Sequence, residues 1–161
     1  FMTELASLSD KLTVTVAERN DSSDLAPCVR VFLEDGQDSG IAFHGVPGGH
    51  EFTSFVLGLY NAAGPGQNLE ADLRQEIREI ATQTEMKILV SLSCTMCPDL
   101  VVACQRIATE NPMIRAEVYD IQYFEDLRKK YNVMSVPCLV INDDKVSFGK
   151  KNISQVLELI K

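Results

Sequence analysis

SLSCTMCPDLVVACQRI (91–107) decides how the rest of this chain reads. Two cysteines, Cys94 and Cys97, flank Thr95 and Met96, and Pro98 follows. The mostly apolar run MKILVSLS (86–93) precedes them and has strand length. After them Leu100, Val101, Cys104, Ile107 and Ala108 recur at helical spacing, which predicts a helix over 95–110. The cysteine pair therefore falls at a strand-to-helix junction. Such a pair is half of a metal site, a structural staple or a redox couple.

The junction favours the last. A helix start carries unsatisfied N–H groups and the positive end of the helix dipole, and both stabilise a negative sulfur. Cysteines so placed reach pKa values near ~7, against about 8.5 for a free thiol. Pro98 costs little in a first turn, where N–H groups have no partner inside the helix. The spacing hides Cys97 beneath Cys94, as an attacking and a resolving thiol require. A closed zinc site needs four ligands. Cys104 stands alone, Cys28 and Cys138 have no ligand-spaced neighbours, and His44 and His50 lie in the other half of the chain. No metal ligand is assigned.

Working outward, Asn111-Pro112 ends the helix. MIRAEVYDI (113–121) alternates like a strand, and FEDLRKKY (124–131) follows as a short helix with basic residues near its end. VPCLVIN (136–142), the turn residues Asp143-Asp144 and KVSFG (145–149) read as a hairpin, and ISQVLELIK (153–161) as a last helix. The order β-α-β-α-β-β-α implies a parallel crossover and an antiparallel edge. It is similar to the thioredoxin-like arrangement. There Val136-Pro137 would begin the third strand beside the cysteine pair, although a proline at a strand's first position is common in any sheet.

The first half holds a weaker copy. Pro27-Cys28 opens the strand VRVFLED, GIAFHG (40–45) returns, and HEFTSFVLGLYNAA (50–63) closes the unit as a helix. These match Pro137-Cys138 with its hairpin and final helix. Ahead of the copy stand only a helical stub (3–9) and a strand, LTVTVAE (12–18). The fold class expected is α/β, two fused thioredoxin-like folds. Residues 1–66 form a redox-inactive first repeat lacking its opening strand and most of its first helix. Residues 67–85 form a connecting helix with Leu69, Leu73, Ile77 and Ile80 on one face, and 86–161 a complete second repeat. Cys28, Cys104 and Cys138 read as core.

The bulk numbers agree with a soluble, cytoplasmic protein that meets other proteins. Fifteen basic against twenty-three acidic side chains give a net charge of −8, which argues against a nucleic-acid surface. No apolar run reaches membrane-span length, and FMTELASLSD lacks the basic and apolar regions of a secretory signal. Five cysteines do not suit a secreted disulfide framework.

SLSCTMCPDLV, YNVMSVPCLVIN and FHGVPGGHEFTSFVLGL together resemble the amino-terminal domain of the flavoprotein subunit of bacterial alkyl hydroperoxide reductase, over nearly the whole chain. Similar domains are fused to thioredoxin-reductase-like modules. The resemblance implies that Cys94 is the exchanging nucleophile, Cys97 the resolving thiol and Pro137 a cis proline. Val136 would offer backbone groups to a substrate chain, and Thr95 and Met96 would touch partners. Glu51 would be an acid near the dithiol that tunes its titration; the residues alone read it instead as a first-turn acid stabilising its helix. Electrons would pass from a flavoprotein disulfide reductase module on the same polypeptide to a peroxiredoxin or thioredoxin-like protein. FAD and NAD(P)H would sit on that other module, since no GxGxxG occurs here. The rival expectations are an independent protein disulfide oxidoreductase or isomerase, and a non-catalytic docking or metal module.

Overall fold

The computed structural model describes residues 1–18 and 26–161. In chain order the elements are α1 (Met2–Ala6), β1 (Cys28–Phe32), β2 (Asp38–His44), α2 (Glu51–Ala63), α3 (Ala71–Arg78), β3 (Thr84–Val90), α4 (Cys97–Glu110), β4 (Ile114–Asp120), α5 (Glu125–Lys130), β5 (Cys138–Ile141), β6 (Lys145–Phe148) and α6 (Ile153–Ile160). The strands make one six-stranded sheet in the order β1-β2-β4-β3-β5-β6. β3 and β4 run parallel from Thr84↔Ile114 to Val90↔Asp120, while β3–β5 and β5–β6 are antiparallel. β2 joins β4 in parallel, Ile41↔Ala116 to His44↔Tyr119, so both halves of the chain share a single sheet.

The central strand β3 carries Ile88, Leu89 and Val90 with no exposed surface. A strand buried on both faces reads as a continuous apolar run, which is why ILV does not alternate. One face packs against α2, α4 and α6 through Phe43, Phe55, Ile88, Leu100, Ile107 and Leu157. The other holds a smaller cluster of Leu89, Tyr119, Phe124, Tyr131, Cys138 and Val140. Burying each large aliphatic side chain contributes about 1.5–3 kcal/mol. α6 starts on a capping box, Asn152 accepting from the Gln155 N–H while Gln155 accepts from that of Asn152.

The internal likeness is visible in the backbone. Ala26–Pro27 and Val136–Pro137 are both cis, each is followed by a cysteine that opens a strand, and each proline carbonyl accepts from a glycine N–H, Gly45 at 2.7 Å and Gly149 at 3.0 Å.

Two expectations need correction. Residues 12–18 form no strand: the segment is largely exposed, with Val16 at 87%. Its counterpart β4 pairs with the opening strand β3, and among the described residues the first half has no such opening strand. Alternation without a partner leaves the backbone groups to water. The connecting helix, Ala71–Arg78, is also shorter than the expected 67–85. Asn111 Nδ2 donates to the carbonyls of Ile77 (2.7 Å) and Ile80 (2.9 Å), satisfying the helix end there. Thr84 and Glu85 already bond into the sheet, to the Met113 carbonyl and the Asn142 side chain.

Candidate functional site

The parallel strands β2, β3 and β4 end at one rim, and α4 begins there. Cys97 is its first residue and Pro98 lies in its first turn. Cys94 and Cys97 are joined in a disulfide with Cα atoms 5.6 Å apart, a normal span for a bridge. Cys97 is completely buried; Cys94 is half-buried, and Thr95 and Met96 are exposed. The Cys97 N–H points at Cys94 Sγ at 3.2 Å, so an orphan helix-start donor faces the accessible sulfur. Such a donor favours the thiolate over the thiol. No side chain caps α4 and competes for it.

Pro137 is buried at the start of β5, and the carbonyl oxygen of Val136 lies 3.9 Å from Cys94 Sγ. The structure thus brings Cys94, Cys97, Val136 and Pro137 together from two separate loops. Exposed apolar side chains stand on the same loops: Met96 between the cysteines and Met134 two residues ahead of Val136.

Glu51 comes from the other half of the chain. It is the first residue of α2 and has no exposed surface. Ser54 Oγ donates to Glu51 Oε2, whereas Oε1 has no hydrogen-bond partner. Burial pushes the carboxyl up from 4.5 to about 7, with the Ser54 bond pulling weakly the other way. A first-turn acid that stabilises its helix is charged and wet; Glu51 is neither below neutral pH. What seats it is a contact between α2 and the dithiol loop. The His50 N–H donates to the Leu92 carbonyl at 3.0 Å, two residues before Cys94. Gly49 has φ +55°, and a Cβ there would stand 2.6 Å from the Leu92 oxygen. The paired glycines ahead of HEF are the one signal for this contact.

Cys104 and Cys138 are buried, and burial raises their thiols to about 12 and about 11, with Lys151 opposing. Cys28 departs from the core reading. It is half-buried, and its sulfur lies 3.9 Å from His44 Nε2. No cluster of metal-ligating side chains occurs among the described residues.

Comparison with known proteins places this geometry. Residues 84–161 match the thioredoxin domain family. The crystal structure of the NTD_N/C domain of alkyl hydroperoxide reductase AhpF from Enterococcus faecalis is 38% identical. It superposes with a TM-score of 0.93, covering 99% of this chain and 81% of that one. The chain belongs to the AhpF amino-terminal domain family. The F subunit of alkyl hydroperoxide reductase from Pseudomonas aeruginosa is 34% identical over 157 residues, 98% of this chain. The chain spans about 29% of the length of that relative. The fold extends further: a protein disulfide oxidoreductase from Aeropyrum pernix has a TM-score of 0.78 at 22% identity, over 88% of this chain and 65% of that one. This AhpF-type domain is a thioredoxin-fold thiol–disulfide oxidoreductase domain.

Proposed function

We propose that the domain carries electron pairs through Cys94 and Cys97, from a dithiol on a flavoprotein module of the same full-length polypeptide to the disulfide of a peroxiredoxin or thioredoxin-like partner. The observation that carries this reading is the half-buried Cys94 sulfur facing the first N–H of α4, with Cys97 buried beneath it.

In the first half-cycle an upstream thiolate attacks Cys94, the Cys94–Cys97 bond breaks, and Cys97 leaves as a thiolate. A second upstream thiol displaces Cys94, so two electrons arrive and the upstream pair becomes a disulfide. In the second half-cycle Cys94 attacks the partner disulfide, and Cys97 attacks Cys94 to release the reduced partner. Rates in such exchanges follow thiolate fraction and leaving-group pKa. Val136 supplies backbone groups for an extended partner segment beside the buried Pro137, and Thr95 and Met96 meet it from the helix side. Glu51, half protonated near pH 7, gives and takes the proton that the buried Cys97 exchanges. FAD and NAD(P)H belong to the other module. Residues through 66 are the redox-inactive repeat, 67–85 the connection and 86–161 the active repeat. A cytoplasmic setting suits a dithiol that must be kept reducible; no helix among the described residues is long and apolar enough to cross a membrane.

Trapping tests the reading. With Cys97→Ser, the mixed disulfide on Cys94 cannot be resolved and its occupant can be identified from a lysate. Capture confined to a peroxiredoxin and a flavoprotein reductase is expected. A broad range of client proteins would point instead to a general disulfide oxidoreductase, and no captured protein at all would end the shuttle.

A further inference from the structure

Ser54 takes no part in the exchange described so far, yet it is buried, at 1% exposure, one turn after Glu51 in α2. Its Oγ reaches two acceptors on that one residue, the Glu51 carbonyl oxygen at 2.9 Å and the side-chain Oε2. A serine hydroxyl has a single proton to give and lone pairs with which to accept. It cannot serve both oxygens at once. When Glu51 is ionised, the Ser54 proton goes to Oε2, while Oε1 has no partner. When Glu51 is protonated, the carboxyl O–H donates to Ser54 Oγ and the serine proton turns to the carbonyl. Serines in helices commonly bond a carbonyl one turn back. The buried carboxyl as a second partner is what sets Ser54 apart.

This pair stands at the height of the dithiol. α2 and α4 both start at the rim, and Gly58 packs against Gln105, since a Cβ there would lie 2.8 Å from Gln105 Oε1. Counting back to Glu51 and to Cys97 covers roughly 10 and 12 Å along the two helices. The charged groups of the neighbouring elements have other partners. Asp99 in the first turn of α4 is exposed and lies 3.8 Å from Lys150. Lys151, across a groove that Ser54 lines, donates to the carbonyls of Phe148 and Gly149. β2 turns His44 to the opposite sheet face, where it stacks on Tyr119. Glu4 of α1 pairs with the amino terminus, and His50 is exposed.

We propose, resting on the proton role given to Glu51 above, that Ser54 is a positioning residue for that step. Its hydroxyl turns between the carbonyl and the carboxylate of Glu51, so that the acid releases and regains a proton without leaving its seat. Ser54 keeps its own proton throughout; the proton exchanged belongs to Glu51. A bond to a carboxylate is stronger than one to a neutral acid. Removing the hydroxyl therefore penalises the ionised form more and moves the titration of Glu51 upward.

The test is a carbon-13 NMR titration of the glutamate carboxyls in the 161-residue chain, with the Cys94–Cys97 bridge closed. The Glu51 signal is the one missing from Glu51→Gln. Its midpoint, about 7 in the unaltered chain, should rise by about one pH unit in Ser54→Ala. The rate at which dithiothreitol reduces the bridge is followed over the same pH range and corrected for the thiolate fraction of the reagent. Its inflection near the Glu51 midpoint should vanish in Glu51→Gln and move upward in Ser54→Ala. A midpoint that stays or falls in Ser54→Ala overturns the role of Ser54 and leaves the Glu51 cycle standing. An inflection that survives Glu51→Gln overturns the cycle itself, and Ser54 loses its part in exchange with it.

Discussion

Replacing Glu51 with glutamine should stabilise the domain, and only at the upper end of the pH range. The native carboxyl rises from 4.5 to about 7 because it is buried. In the unfolded chain it ionises at its ordinary value. Between these two pH values the native state holds a proton that the unfolded state has released, so stability falls as pH rises through the interval. The full contribution is present below pH 4.5 and gone above 7. At about 1.4 kcal/mol for each pH unit, the loss approaches about 3 kcal/mol by pH 8. Glutamine keeps the shape and can still accept from Ser54, but cannot ionise. Urea unfolding of both proteins, with the Cys94–Cys97 bridge kept closed, should give similar stabilities at pH 5. By pH 8 the variant should lead by about 2–3 kcal/mol. Every other titrating group cancels in the difference. Parallel curves across that range would refute the buried, proton-holding acid, and with it the proton role assigned to Glu51 in exchange.

Gly49→Ala should cost about 2 kcal/mol or more in the same assay, since it combines a left-handed backbone with a Cβ 2.6 Å from the Leu92 oxygen; a neutral result would mean that α2 does not seat against the dithiol loop. In the reduced folded chain, Cys104 and Cys138 should stay unreactive to Ellman's reagent at pH 8 and react only after denaturation, because burial holds both far above the pH. Quantifying the thiols before and after adding guanidinium checks this, and prompt reaction of either cysteine contradicts it.

How far the sequence can be read depends on whether a feature is local. The helix that starts at Cys97 is legible because Pro98, the apolar stripe and the Asn111-Pro112 stop lie within it or at its end. The hairpin of β5 and β6 is legible from its Asp143-Asp144 turn, whose residues leave regular strand geometry: Asp143 has φ +58°. The failures all need a distant partner. LTVTVAE alternates as a strand should, yet no strand among the described residues receives it. The connecting helix stops early because of Asn111, more than thirty residues downstream of the carbonyls it satisfies. Cys28 reads as core because nothing local reveals His44 across the hairpin or Glu117 on β4.

The same distinction bears on the part that the proposed cycle gives to the half of the chain without a CxxC. A cysteine pair at a helix start carries its own electrostatics, since the Cys97 N–H is supplied by the residues themselves. Proton handling is another matter. A buried thiol that gains and loses a proton is helped by a neighbour that can exchange it. In the cycle proposed above Glu51 fills that role: it rides on α2, which the Gly49–Leu92 contact seats against the dithiol loop. In that reading, one half of the chain fixes the sulfur chemistry and the other delivers the acid, so that seating α2 differently is expected to alter the proton step while leaving the Cys94–Cys97 pair intact.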